Sequence, residues 1–354
     1  MTPTPPTQQR IKSLDGLRGV AVFIIILFHV HPLFISGGFL GVDVFFVLSG
    51  FLITGLLLDE FELNDNIKLK YFYARRALRL MPALLLILAI LVPTYWLFAD
   101  ASKAQSFSFE ALIAITYTTN LAVAFEWFNL TQLRHTWSLA IEEQFYLIWP
   151  LLLLALHRRS RNRNTLLASC LALWAASIAV RVWLTVNNAP IDRLYCGLDT
   201  RADALMAGAA LAVFLRRNDN REVSTTLWLK WCWLPASVVL GYFMFSTNYL
   251  LRGLYLWQLP IVHIASALVI MHLASNRDGI LARALAFRPI FYLGKISYGV
   301  YLWHVPVLLA AIHYQVPTRW LMLVTLSGTI LLASASYYFV ERKLLRLKQH
   351  FAST

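Results

Sequence analysis

Apolar residues along this chain come in long runs, not at the 3.6- or 2-residue period of a half-buried helix or strand. Ten runs read as membrane-spanning helices, an element that takes about 20 predominantly apolar residues. They are 20–35, 40–58, 80–98, 135–156, 165–186, 203–215, 231–247, 254–274, 290–313 and 319–340, of which 203–215 is the shortest. An eleventh stretch, 109–125 (FEALIAITYTTNLAVAF), is interrupted by several Thr and an Asn. The basic residues decide its status. With 109–125 left out, 23 of the 31 Lys and Arg fall on alternate loops on one side of the membrane. Counting it as a span would move the cluster HRRSRNR (157–163) to the opposite side. Because basic loops stay cytoplasmic, the pattern predicts an all-α bundle of about ten transmembrane helices with both termini cytoplasmic. Segment 109–125 then becomes an interfacial or re-entrant helix on the outer side.

Composition fits that reading. Of 354 residues, 59% are hydrophobic and 14% charged, with a mean hydropathy of +0.61; soluble domains run at about 45–50% and 25%. A water-soluble enzyme, a disordered chain and a disulfide-stapled secreted domain are all excluded. The net charge of +13 would suit nucleic acid, but the basic residues sit in short clusters between apolar runs. The partner is therefore the lipid bilayer and not nucleic acid. Cys170, Cys196 and Cys232 have neither a disulfide framework nor metal spacing, so no metal is expected. Residues 1–10 are polar and Pro-rich and read as a disordered tail; no cleavage site follows, so they are not a signal peptide. Residues 11–342 read as a single membrane domain and 343–354 as a basic cytoplasmic tail.

Ionisable residues inside spans are costly and mark function by default. Arg18 and His29 are eleven residues apart in the first span. At 100° per residue this is a net offset of about 20°, with an axial separation of roughly 16 Å. The pair shares one helix face, Arg18 near the cytoplasmic end and His29 well inside. Alone, Arg18 would be an ordinary snorkelling anchor and His29 a structural histidine; together they point to a ligand path. Asp43 lies a turn inside the outer boundary of the second span and needs a partner. Arg76 and Arg79 share a helix face and have the forked geometry that suits phosphate. Glu142 and Glu143 are adjacent, so they point about 100° apart and only one can face a given partner. His304 sits mid-span near Tyr298, Tyr301 and Trp303, while His31, His135, Arg201 and Asp203 fall near the outer boundary. Arg18, Arg76, Arg79 and Lys295 thus form a basic mouth on the cytoplasmic half, and His29, Asp43, Glu142 and His304 an acid/base cluster farther in. A phosphorylated donor entering from the cytoplasm would meet the first and extend its reactive end to the second.

Six segments carry a family resemblance: SLDGLRGVAVFIIILFH (13–29), GGFLGVDVFFVLSGFLI (37–53), FYARRALRLMP (72–82), HTWSLAIEEQFYLIWP (135–150), RADALMAG (201–208) and ISYGVYLWHVPV (296–307). In that order they resemble the membrane-bound acyltransferase-3 family. The resemblance implies a ten-span bacterial inner-membrane protein that moves an acyl group, most often acetyl, from cytoplasmic acyl-CoA to a hydroxyl of a glycan, a lipid-linked glycan or another exported acceptor. It carries Arg18 and His29 over as the Arg–His pair, Arg76 and Arg79 as the Arg-x-x-Arg pair, and Glu142 as the Glu of WSL-x-x-E. It further implies that His29 is essential and that the arginines face the CoA side. VERK (340–343) stands where the family has Glu-Arg-Pro, a departure that affects the end of the last helix. No esterase-like domain follows, so a stand-alone transferase is implied.

The expected chemistry assigns His29, Glu142 and Asp43 to catalysis: His29 as general base or transient acyl carrier, and Glu142 or Asp43 holding its tautomer. Arg18, Arg76, Arg79 and Lys295 are expected to bind acetyl-CoA or another acyl-CoA, and His135, Trp137, Ser138, Arg201 and His304 the acceptor. A transporter or flippase of a lipid-linked glycan would use the same intramembrane charges, although no inverted repeat is visible.

Overall fold

The computed structural model of the protein describes residues 11–217 and 231–346. The tail 1–10, the loop residues Arg221 and Lys230, and residues 347–354 of the basic tail lie outside the described residues. Every regular element among those described is helical. The order is α1 (Lys12–Val30), α2 (Gly41–Asn64), α3 (Leu69–Phe98), α4 (Ala101–Ile115), α5 (Thr119–Ala124), α6 (Trp137–Arg159), α7 (Arg163–Val186), α8 (Ile191–Cys196), α9 (Leu198–Arg217) and α10 (Trp233–Ser246). It continues with α11 (Leu259–Ser275), α12 (Ile280–Leu285), α13 (Arg288–Lys295), α14 (Ser297–His313), α15 (Thr318–Ser336) and α16 (Arg342–Arg346). π-helical turns precede α11 (Leu254–Gln258) and α16 (Tyr337–Glu341).

Each of the ten apolar runs becomes helix. Among the described residues seven helices are long and apolar enough to cross a membrane, or eight when α13 and α14, bent by 78° at their junction, count as one span. The two runs left over differ for simple reasons. Helix α9 carries Asp199, Arg201, Asp203 and Arg216 within its 20 residues, and α10 has only 14. The stretch 109–125 is not one helix: α4 ends at Ile115, Tyr117 adopts a left-handed φ of 52°, and α5 starts afresh at Thr119.

Helix α2 is the hub, with 83% of its apolar window enclosed by other helices. It packs on α9, α11 and α6, and α9 packs in turn on α7. Bare backbone is what lets α2 and α9 approach. A Cβ on Gly50 would stand 1.9 Å from the Leu205 carbonyl oxygen, and one on Gly208 1.9 Å from that of Val47. Small residues at membrane helix contacts serve this purpose. Gly208→Val is therefore expected to push the two helices apart and destabilise the fold by about 1–3 kcal/mol, the range for an overpacked core. A lowered thermal midpoint of the detergent-solubilised protein would register it.

Glycines bring the two ends of the chain together in the same way. Helix α1 packs on α12 and α13, with Gly16 against the Leu285 carbonyl and Gly294 against that of Asp15, where an added Cβ would lie 1.9 and 1.6 Å away. That contact sets α1, with Arg18 and His29, beside α14, with His304.

Candidate functional site

The first component is a cleft lined by Arg18 of α1, Ser49 of α2, Arg76 and Arg79 of α3, Glu142 of α6 and Tyr301 of α14, among others. Three of the residues read from sequence as a basic mouth thus share one wall, and Glu142 faces them. Arg76 lies over the Tyr146 ring, 4.5 Å from its centroid. Arg18 reaches Asp15 at a long 3.4 Å. Neither Arg76 nor Arg79 has a carboxylate within ion-pair distance among the described residues. Glu142 instead accepts a hydrogen bond from Ser49 Oγ at 2.7 Å. Two guanidinium groups that share a cleft and make no direct ion pair are suited to an anion with several oxygens. Lys295 does not join them: its ammonium lies over the Tyr337 ring, 4.8 Å from the centroid, and it is absent from the cleft lining. The bend between α13 and α14 begins directly after this residue.

Three histidines from distant parts of the sequence form the second component. The His29 and His304 ring centroids are 4.9 Å apart, and those of His304 and His135 5.2 Å. His29 Nδ1 is 2.8 Å from the Ile25 carbonyl oxygen. A carbonyl can only accept, so Nδ1 carries the proton and Nε2 keeps its lone pair. The expectation that Glu142 or Asp43 would hold this tautomer is corrected here: the preceding turn of the same helix holds it. His304 repeats the device, with Nδ1 at 2.5 Å from the Tyr301 carbonyl oxygen. His304 is sealed at 0% exposure and His135 at 7%, while His29 remains partly open.

The two components share a wall. Tyr301 OH donates to the His135 carbonyl at 2.7 Å, so in the 2.8 Å contact between Ser138 and Tyr301 the serine must be the donor. Ser138 and Tyr301 line the arginine cleft; His135 and Tyr301 flank the histidines. The loop before His135 is pinned by a residue that sequence reasoning passed over. The buried Glu110 carboxylate of α4 accepts from the backbone N–H groups of Thr131, Gln132 and Leu133 at 2.9–3.1 Å, and also from Thr131 Oγ1. Asn120 and Gln144 exchange reciprocal amide bonds that fasten α5 to α6.

Asp43 and Arg201 belong to a third assembly. Arg201 donates to Asp43 Oδ1 at 2.9 Å, and His263 Nε2 lies 2.9 Å from the same oxygen. Arg181 donates to Asp203 Oδ2 at 2.6 Å, and His263 Nδ1 stands 3.1 Å from that oxygen, off the line of a good hydrogen bond. All five residues are at 0% exposure and tie α2, α7, α9 and α11 together. Trp137 and Tyr195 close over the Arg201 guanidinium at 5.7 and 5.3 Å. Asp43, Arg201 and Trp137 therefore lie in an ion-paired, aromatic-capped hub and not against His29. The sequence reading singled out neither His263 nor Arg181 as a functional residue, although each is an ionisable residue within an apolar run and would have been found by the rule applied to His304. No group of three or more His, Cys, Asp or Glu that could hold a metal occurs among the described residues.

Among the described residues every regular element is helical and seven helices are of membrane length, which defines a polytopic membrane protein, and its arginine-lined cleft adjoins a cluster of three histidines. Residues 11–339 match the family model described as "Acyltransferase domain", and the chain belongs to the acyltransferase-3 family. It is 33% identical to the peptidoglycan O-acetyltransferase OatA of Listeria monocytogenes, over 95% of this chain and 56% of that protein. It is 32% identical to the O-acetyltransferase OatA of Staphylococcus aureus, over 94% of this chain and 56% of that one. The chain thus spans just over half the length of these relatives. No solved structure matches it.

Proposed function

We propose that this chain is a plasma-membrane O-acetyltransferase of ten spans, with cytoplasmic termini, that takes acetyl from cytoplasmic acyl-CoA and delivers it to a glycan hydroxyl on the outer side. The acceptor we favour is peptidoglycan, that of the Listeria monocytogenes relative. The observation that carries the reading is the shared wall: a cleft with unpaired Arg76 and Arg79 meets the histidine cluster through Ser138 and Tyr301. In this scheme Arg18, Arg76 and Arg79 hold the donor's phosphates, and the acyl thioester extends toward His29. His29 Nε2 removes the acceptor hydroxyl proton as the oxygen attacks the acyl carbon. The C–S bond then breaks, and the proton passes from the imidazolium to the departing thiolate. Glu142, fixed by Ser49, balances charge within the cleft. Asp43 and Arg201 hold the helices that frame the site.

The test is transfer of label from [14C]acetyl-CoA to peptidoglycan glycan strands by the purified protein in liposomes. Label on glycan hydroxyls supports the proposal. Glycan moved across the bilayer without acylation would favour a transporter and overturn it. If the arginines hold the donor, Arg79→Ala should raise the donor KM about tenfold, the 1.4 kcal/mol equivalent of one weakened charge-assisted contact, with kcat changed less. Initial rates against acetyl-CoA concentration check this.

A further inference from the structure

His304 is fully buried, carries its proton on Nδ1 toward the Tyr301 carbonyl, and leaves Nε2 without a hydrogen-bond partner. A sealed, unpaired nitrogen costs free energy comparable to a lost hydrogen bond, so a position that keeps one calls for a use. Its neighbour supplies the use. The His29 ring is 4.9 Å away at 73°, and its own Nδ1–H is committed to Ile25. Both histidines therefore have Nε2 as their only basic nitrogen. They differ in exposure: His29 is partly open, whereas His304 is at 0% exposure.

We propose that His304 is a positioning residue for His29, sharing through Nε2 the proton that His29 collects from the acceptor hydroxyl. This goes beyond an acceptor-binding role for His304 and rests on the transferase reading above. While the acceptor oxygen–acyl bond forms and the acyl–sulfur bond breaks, His29 carries the proton on Nε2, and His304 Nε2 accepts a hydrogen bond from it once the rings, 4.9 Å apart between centroids, turn toward each other; the proton then leaves from His29 to the thiolate. No proton is gained or lost overall. Two neutral imidazoles can hold one added proton jointly, whereas an asparagine in place of His304 has no basic nitrogen to offer. The other titratable groups near His304 are His135, at 5.2 Å between rings, and Tyr301 on its own helix.

The experiment compares wild type, His304→Asn, His304→Gln and His29→Ala, as full chains in liposomes with [14C]acetyl-CoA and glycan strands, for kcat, KM and the pH–rate profile. Expected for His304→Asn is a 10- to 100-fold fall in kcat, the lower part of the range for proton-transfer groups, with acceptor KM within twofold. The pH at half-maximal kcat should move by about one unit, and the curved dependence of kcat on D2O fraction should become linear. A pH profile and D2O curve identical to wild type would overturn the proposal, whatever the drop in kcat, because a merely structural role moves neither. A large rise in acceptor KM with kcat kept would overturn it in favour of acceptor binding. Thermal midpoints within a few degrees of wild type identify folded variants, and His304→Gln provides the second reading if the asparagine variant falls outside that limit. Absence of transfer by wild type would instead sink the transferase reading itself.

Discussion

His29→Ala should reduce acetyl transfer by at least 100-fold and as much as 10,000-fold, the span that a positioned general base supplies. The loss should appear in kcat, because donor phosphates are expected to bind the arginine cleft roughly a helix length away. The physical ground is the tautomer. The Ile25 carbonyl fixes the proton on Nδ1, so the basic nitrogen of His29 is Nε2, on the most exposed residue of the three-histidine cluster. Mass spectrometry of surface glycans from cells with the intact gene, without it, and with His29→Ala at equal membrane abundance would check the result. Loss of the same acetyl group in both altered strains is the expected outcome; an unchanged acetyl pattern with His29→Ala would remove the residue from the chemistry.

The largest stability effect is expected at Arg201. Replacing it with leucine would leave the Asp43 carboxylate at 0% exposure with only His263 beside it. Breaking a buried ion pair by removing one partner costs about 3–5 kcal/mol. Replacing Asp43 and Arg201 together by apolar residues should cost less than Arg201→Leu alone, because no uncompensated charge remains. Unfolding of the detergent-solubilised variants, followed by tryptophan fluorescence, would measure both. If the double variant proved the less stable of the two, the cost would lie in lost packing and not in charge.

Much of this architecture is legible in the sequence because lipid imposes a simple code. Each long apolar run became a helix, and the split of 109–125 was foreshadowed by its Thr and Asn residues. The common face of Arg18 and His29 follows from helical geometry alone. Arg76 and Arg79 reach the same cleft as Arg18 because a basic segment leading into a span leaves its arginines at one depth. Partners across the chain were not legible. Asp43 meets Arg201 and His263, 158 and 220 positions away, and nothing local in GVDVFF chooses between them and His29. Lys295 was assigned to the donor by its side of the membrane, but a bend that only tertiary packing creates carries it to Tyr337. The orienting partner of His29 was sought among carboxylates when a backbone carbonyl one turn back was available at no extra burial.

The seating of Gly16 and Gly294 on opposing backbone also has a consequence for biogenesis. The site joins His29 to His304, so the first helix must wait in the bilayer until the ninth apolar run has been made. At bacterial-type synthesis rates of about 5–20 residues per second, that interval is roughly 14–55 s. During it, Arg18 can already meet α2, α3 and α6, but His29 lacks the face that carries His304. A ribosome that stops before residue 288 would release a chain with most of its apolar runs and with Arg18, Arg76, Arg79 and Glu142, but without the helix that completes the histidine cluster.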